Sequence, residues 1–205
     1  TYVADTGNDR IVKITSAGVQ STLPFTGLVD PAAVAVAADG TVYVADTGNN
    51  RVLRLPAGGG AQETVGFTGL DFPMGMAIDS AGNPHVLYKT SDANVSADNS
   101  ILAYATCAQD CTNAANWAVG YTFLVGTDFQ AKYAIDTDAS NRPRIVLYSA
   151  DLVTNDPAQA RSLYYGWCNS ACTTAANWGS AFVGLNQRDG VSPDLVLDSG
   201  NLPHI

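Results

Sequence analysis

Tyr2-Val-Ala-Asp-Thr-Gly-Asn-Asp-Arg-Ile11 returns 41 residues later as Tyr43-Val-Ala-Asp-Thr-Gly-Asn-Asn-Arg-Val52. A second phrase, Leu23-Pro-Phe-Thr-Gly-Leu28, returns as Val65-Gly-Phe-Thr-Gly-Leu70. Self-similarity at a fixed period near 40 residues marks a repeat architecture, in which each repeat buries its apolar face against the next. Between the phrases the chain reads as apolar runs of about five residues separated by Gly, Asn and Asp, the pattern of short strands and tight turns. In the repeat best delimited by such turns, strand A is Ala33–Ala37, strand B Thr41–Ala45, strand C Arg51–Leu55, and strand D surrounds Thr64–Phe67. Asp39-Gly40 joins A to B, because Asp and Gly tolerate the backbone angles of a hairpin turn. Four strands in about 42 residues is the length of one β-propeller blade.

The second half repeats with a longer period. Tyr104-Ala-Thr-Cys-Ala-Gln-Asp-Cys-Thr-Asn-Ala-Ala-Asn-Trp117 matches Tyr165-Gly-Trp-Cys-Asn-Ser-Ala-Cys-Thr-Thr-Ala-Ala-Asn-Trp178, 61 residues on. Ala77-Ile-Asp-Ser-Ala-Gly-Asn-Pro-His-Val86 resembles Leu195-Val-Leu-Asp-Ser-Gly-Asn-Leu-Pro-His-Ile205 and, more loosely, Ala134–Pro143. The longer units keep the blade plan and lengthen two connections. These are the B–C loop, Thr90–Asn99 and Ala150–Arg161, and the C–D turn that carries the cysteines. The fold class is therefore all-β: a propeller of four-stranded antiparallel blades over 1–205, with short blades in 1–70 and longer cysteine-containing blades in 71–205. Both Thr1-Tyr2-Val3 and Pro203-His204-Ile205 align within a strand B, four periods apart. Cutting a strand leaves backbone groups unpaired, so the expectation is a segment of a six- to eight-bladed ring; the alternative is a four-bladed ring closed by its two ends.

Composition narrows the partners. The formal net charge is −9, Glu63 is the only glutamate, and nearly all the acidity is Asp beside Gly, Asn or Ser in turns. An acidic surface with no Lys/Arg run repels phosphates and anionic lipid, so nucleic acid is not an expected partner. No apolar stretch reaches the roughly 18 residues of a membrane helix, so no membrane insertion of this segment is expected.

The phrase Gly40-x-Val42-Tyr43-Val44-x-Asp46-x-x-Asn49-Asn50-Arg51-Val52 resembles the NHL repeat, whose members form β-propellers. Residues 1–83, and Ser21–Asn83 above all, look most like the extracellular sensor propeller of actinobacterial receptor serine/threonine kinases. The phrases Leu-Pro-Phe-Thr-Gly-Leu and Asp-Thr-Gly-Asn-Asn-Arg-Val-Leu-Arg-Leu-Pro-Ala-Gly carry that likeness. The second half lacks the Asn-x-Arg-Val phrase and gains cysteines. The resemblance implies a bacterial protein with a sensing or binding role; some related propellers are amidating lyases, lactonases or streptogramin lyases with His or carboxylate groups around the central channel.

Cys107/Cys111 and Cys168/Cys172 form two Cys-x-x-x-Cys pairs on successive repeats. Two local disulfides are the leading reading; one four-thiolate zinc site, or free thiols, are the alternatives. A blade width between the pairs disfavours a single tetrahedral site. Disulfides imply an oxidising compartment, hence a secreted or cell-surface protein.

His85 and His204 are the only histidines and occupy equivalent strand-B positions, where other repeats carry Tyr2, Tyr43 and Arg144. That interchange suits a half-buried structural side chain better than a general base or metal ligand. Asp136-Thr-Asp138-Ala-Ser140 resembles the start of a calcium loop but lacks its Gly and distal Glu. Calcium is thus a minor alternative to the expectation of no cofactor. Asp5/Arg10 and Asp46/Arg51 read as charge pairs fixing the B–C turns. Trp117 and Trp178 open strand D beneath the cysteine loop, and Trp167 is a further candidate aromatic for ligand contact. The sequon at Asn94 matters only in a eukaryotic secretory pathway. No Ser/His/Asp arrangement emerges from spacing.

The leading functional expectation is a non-enzymatic extracellular binding scaffold. Its two long B–C loops would stand side by side and meet a protein or glycan through Tyr88, Asp92, Asn94, Asp98, Tyr148, Asp151, Asn155 and Asp156. The runner-up is a propeller lyase or hydrolase with a metal or His/Asp site in the channel.

Overall fold

A computed structural model describes residues 1–65, 67, 69–91, 100–127, 132–149, 162–185 and 193–205. The first antiparallel sheet is β1 (Tyr2–Asp5), β2 (Arg10–Ile14) and β3 (Gln20–Thr22). Three four-stranded meanders follow: β4 (Pro31–Val36) to β5 (Val42–Asp46), β6 (Arg51–Leu55) and β7 (Glu63–Val65); β8 (Asp71–Ile78) to β9 (Pro84–Ser91), β10 (Ser100–Cys107) and β11 (Trp117–Thr127); and β12 (Lys132–Thr137) to β13 (Pro143–Ser149), β14 (Ser162–Cys168) and β15 (Trp178–Leu185). The hairpin β16 (Val196–Leu197) and β17 (Pro203–His204) ends the chain. The fold is a β-propeller; β8 packs between β4 and β12, so the innermost strands of successive blades stand side by side.

The A–B turns show why the acidity is aspartate. In each, the fourth residue is left-handed: Gly40 at φ 92°, Gly82 at 87°, Asn141 at 61° and Asn201 at 63°. Gly and Asn are the residues that enter this region at least cost. Asp79, Asp138 and Asp198 open three of these turns, and one carboxylate oxygen of each caps the backbone N–H groups of its own turn. Aligning by structure moves the Ala134–Pro143 repeat by two residues: Asp138, not Asp136, is the counterpart of Asp79 and Asp198. Asp136 instead accepts the Leu197 backbone N–H at 2.9 Å and so ties β12 to β16.

Successive blades are stitched by side chains that reach across to backbone. In the short blades the left-handed residues ending the B–C turns do this: Asp9 accepts from Asp30 N–H at 2.8 Å and Asn50 from Phe72 N–H at 2.9 Å. In the long blades the stitch moves to the opposite face, where Asn141 accepts from Ser80 N–H at 3.1 Å and Asn201 from Ala139 N–H at 2.8 Å. Between blades the apolar faces close three cores. Ile11, Val44 and Leu53 fill the first, Val52, Val86 and Ala105 the second, and Leu87, Tyr104 and Ile145 the third.

Both cysteine pairs are closed as local disulfides, Cys107–Cys111 and Cys168–Cys172, and no cysteine is free. The zinc and free-thiol readings are thereby set aside. Each disulfide loop folds onto the blade before it. Trp117 donates from Nε1 to the Cys111 carbonyl at 2.9 Å and packs on Phe67 of the second blade, ring centroids 4.9 Å apart. Trp178 donates to the Cys172 carbonyl at 2.8 Å and meets Tyr104 of the third blade edge-on at 5.6 Å. Packing beneath the disulfide is what the sequence leads one to expect of both tryptophans.

Candidate functional site

The long B–C connections leave from β9/β10 and β13/β14, which pair out to Ser91↔Ser100 and Ser149↔Ser162. Thr90, expected in the first loop, is thus the penultimate residue of a strand. Asp92, Asn94, Asp98, Asp151, Asn155 and Asp156 lie outside the described residues, and so does the Asn94 sequon. Tyr88 and Tyr148 are described, and both are buried. Tyr88 points toward the preceding blade, edge-on to Phe67 at 5.4 Å, and burial pushes its phenol up to about 12. Its side chain is packed inside the blade interface and not offered to a partner. Trp167 lies over Gly179 of the neighbouring strand, where any side chain would run into the indole.

A cavity of about 410 Å³ lies between the innermost strands β4, β8 and β12. Ala33, Val34, Gly75, Met76, Ala134 and Ile135 line it, with Lys132 and Asp194 as its charged residues. Among the described residues no three of His, Cys, Asp and Glu stand close enough together to hold a metal ion.

The ionisable groups that looked most chemical are bound to one another beside the A–B turns. His85 Nδ1 lies 2.6 Å from Tyr104 Oη, and Nε2 lies 3.4 Å from Asp79 Oδ2. Burial depresses the His85 pKa, and the hydrogen bond and charge of Asp79 oppose that only in part. Burial also acts to raise the Asp79 pKa, but hydrogen bonds from Asn83 and His85 outweigh it and hold the carboxyl below its ordinary value. One blade later Arg144 takes the place of His85. Its Nη2 donates to Asp138 Oδ2 at 2.6 Å, and Nη1 donates to the Cys168 carbonyl at 2.8 Å. Arg142 reaches the same Asp138 oxygen from the turn. His204 and Asp198 repeat the pair at 3.3 Å on the surface. With two arginines and two backbone N–H groups around it, Asp138 is committed inside the protein, which leaves the calcium reading of this turn no free carboxylate there.

The B–C charge pairs are also structural. Arg51 donates from Nε to Asp46 at 2.6 Å and from Nη2 to the Gly27 carbonyl at 2.7 Å, while Asp46 accepts from Val29 N–H and Asn49 as well. Two features had no signal in the composition. Phe72 adopts φ 48°, a left-handed conformation that is an outlier for a bulky residue, and its ring lies 5.4 Å from the Nζ of buried Lys89. Its counterpart Asp30 has the same angle, so comparing the two repeats is what reveals the position.

The geometry defines a β-propeller, and comparison with solved structures agrees on the fold. Residues 28–55 match the NHL repeat family. No curated protein matches the chain. Among solved structures the chain is similar to virginiamycin B lyase from Staphylococcus aureus, with TM-score 0.54 and 11% identity over 99% of this chain and 78% of that one. It is similar to a putative gluconolactonase at TM-score 0.59 and 13% identity, covering 98% of this chain and 64% of that one. It is also similar to a chain of the nidogen/laminin complex at TM-score 0.54 and 20% identity, covering 80% and 66%. At these identities the likeness is one of fold.

Proposed function

We propose that this propeller is a non-enzymatic binding scaffold of an extracellular or cell-surface protein, taking a protein or glycan partner on the face from which the long B–C connections emerge. The fold alone does not choose between roles, since the similar chains include a lyase and a member of a two-protein complex. The choice rests on one observation: the only buried histidine is spent on Asp79 and Tyr104, at a position that the next blade fills with arginine. A side chain interchangeable with arginine opposite the same turn carboxylate is holding the turn. The likeness of residues 1–83 to extracellular sensor propellers, and the two disulfides, support the compartment.

The test is a glycan array and an extracellular protein array probed with the chain, beside a version whose segments 92–99 and 150–161 are replaced by short Gly/Asn turns. Saturable binding that the replacement abolishes is the expected result. A lyase or lactonase activity that His85→Gln removes without unfolding the protein would overturn the reading in favour of an enzyme.

A further inference from the structure

Among the described residues, every Lys and Arg but one has a partner. Arg10, Arg51, Arg54, Arg142 and Arg144 pair with carboxylates, and Lys13 and Lys89 lie over the rings of Tyr2 and Phe72. The exception is Lys132, which is half-buried and lines the cavity between β4, β8 and β12. Drawing an ammonium partly out of water without a counter-ion is unfavourable, so such a group is a candidate for pairing with something that enters. Asp194 lines the same cavity and is exposed; its Oδ1 accepts the Leu195 N–H at 2.9 Å, and no Lys or Arg pairs with it among the described residues. Two opposite charges therefore share one cavity without meeting. They stand on neighbouring segments: Lys132 opens β12, Asp194 lies two residues before β16, and the Leu197 N–H bond to Asp136 ties those strands together.

The rest of the wall is apolar and fixed. Val34, Met76, Ile135 and the ring of Tyr133 form it, and the buried Tyr133 is held by donating its Oη proton to the Phe72 carbonyl at 3.0 Å. Behind the wall the packing is close: a Cβ on Gly75 would stand 3.3 Å from Leu87 and 3.4 Å from Tyr133 and Ile135. The walls are thus supported from behind and do not collapse into the space. At about 410 Å³ the cavity lies toward the small end of ligand pockets. A carboxylate entering alone would be repelled by Asp194, and an amine alone by Lys132. A molecule carrying both charges on an apolar body answers every wall at once.

We propose that this cavity binds a small zwitterion with an apolar body, the chemistry of a free apolar amino acid, with its carboxylate on Lys132 and its ammonium on Asp194. The half-buried Lys132 carries the larger share of selectivity, because an exposed pair such as that with Asp194 contributes little. No residue of the long connections takes part, so this site and the loop-bearing face can fail separately.

The test is calorimetric titration of the whole chain with L-phenylalanine, and with three analogues that each lack one feature: 2-phenylethylamine (no carboxylate), 3-phenylpropionate (no ammonium) and glycine (no apolar body). L-phenylalanine should bind saturably, with 2-phenylethylamine and glycine at least about tenfold weaker and 3-phenylpropionate about three- to fivefold weaker. Lys132→Met should bind L-phenylalanine no better than 2-phenylethylamine, and Asp194→Asn should bind 3-phenylpropionate at least as well as L-phenylalanine. Equal binding of all four compounds, a variant that keeps the preference its charge is assigned, or no saturable binding up to about 10 mM L-phenylalanine would each overturn the proposal. The analogue series on the unaltered chain decides the matter even if a variant does not fold.

Discussion

Asp46 and Arg51 form a 2.6 Å ion pair in which the carboxylate is wholly buried, whereas the same pair one blade earlier, Asp5 and Arg10, stands at 2.7 Å in partial solvent. The sequence is nearly identical and the energetics are not. A buried carboxylate that also accepts the Val29 N–H leaves several groups unsatisfied when removed, whereas exposed pairs contribute little. Asp46→Ala is expected to cost about 2–4 kcal/mol of unfolding free energy, and Asp5→Ala no more than about 1 kcal/mol. Urea titration of both variants checks this; equal losses would mean that burial is not what separates them.

Gly120 sits where the disulfide loop of the following blade presses on β11, and a Cβ there would overlap the Thr173 carbonyl oxygen. Backbone cannot give way as a flexible side chain does. Gly120→Ala is expected to destabilise by about 1–3 kcal/mol. Gly184→Ala, where a Cβ meets nothing within 4 Å, should stay within about 0.5 kcal/mol. Thermal melts of the pair give the comparison, and a neutral Gly120→Ala would show the seam to be looser than drawn.

Acid should weaken the third blade before the others. The folded-state pKa of His85 lies below its ordinary 6.5, so the unfolded chain binds the extra proton first. Stability from neutral His85 is then complete above about pH 6.5 and drains away as pH falls from there through the folded value. Asp79, also depressed, contributes above its ordinary 3.8 and is lost lower still. Both act in the same direction. Urea midpoints at pH 7.5 and 5.0 should differ, and His85→Gln should shrink the difference; an unchanged slope in that variant would assign the pH dependence elsewhere.

Reduction should loosen the seams between blades. Each disulfide closes a loop of four residues' separation, and chain entropy alone assigns about 2 kcal/mol to a loop so short. Because Trp117 and Trp178 donate to the Cys111 and Cys172 carbonyls, dithiothreitol should red-shift tryptophan emission as well as lower the melting temperature. A Cys107→Ala/Cys111→Ala variant should reproduce the Trp117 part of the shift alone.

The blade plan was legible because strand and turn chemistry repeat: Arg51–Leu55 is the predicted strand C to the residue, and Asp39-Gly40 is the predicted A–B turn. The disulfides and the tryptophans beneath them followed from one 61-residue echo. The pairing of Asp79 with His85, Asp138 with Arg144 and Asp198 with His204 was also present as a constant spacing of six, but it stayed hidden while Asp136 was matched to Asp79. Only the backbone register reveals the two-residue offset. Tyr88 looked like a residue that meets a partner because alternation places it on one side of a strand without saying which side faces the neighbouring blade. Phe72 gave no warning of its own, since a left-handed aromatic is held by the stitch to Asn50 and only its counterpart Asp30 shares the angle.

The disulfide loops overlap their neighbours in one direction only, each lying on the blade before it like a roof tile on the course below. Damage therefore spreads backward along the chain. A protease nick within 168–178 would lift the cover from Tyr104 and Gly120 of the third blade, and a nick within 107–117 would bare Phe67 of the second. Limited proteolysis that begins at the last loop should thus expose the earlier ones in turn.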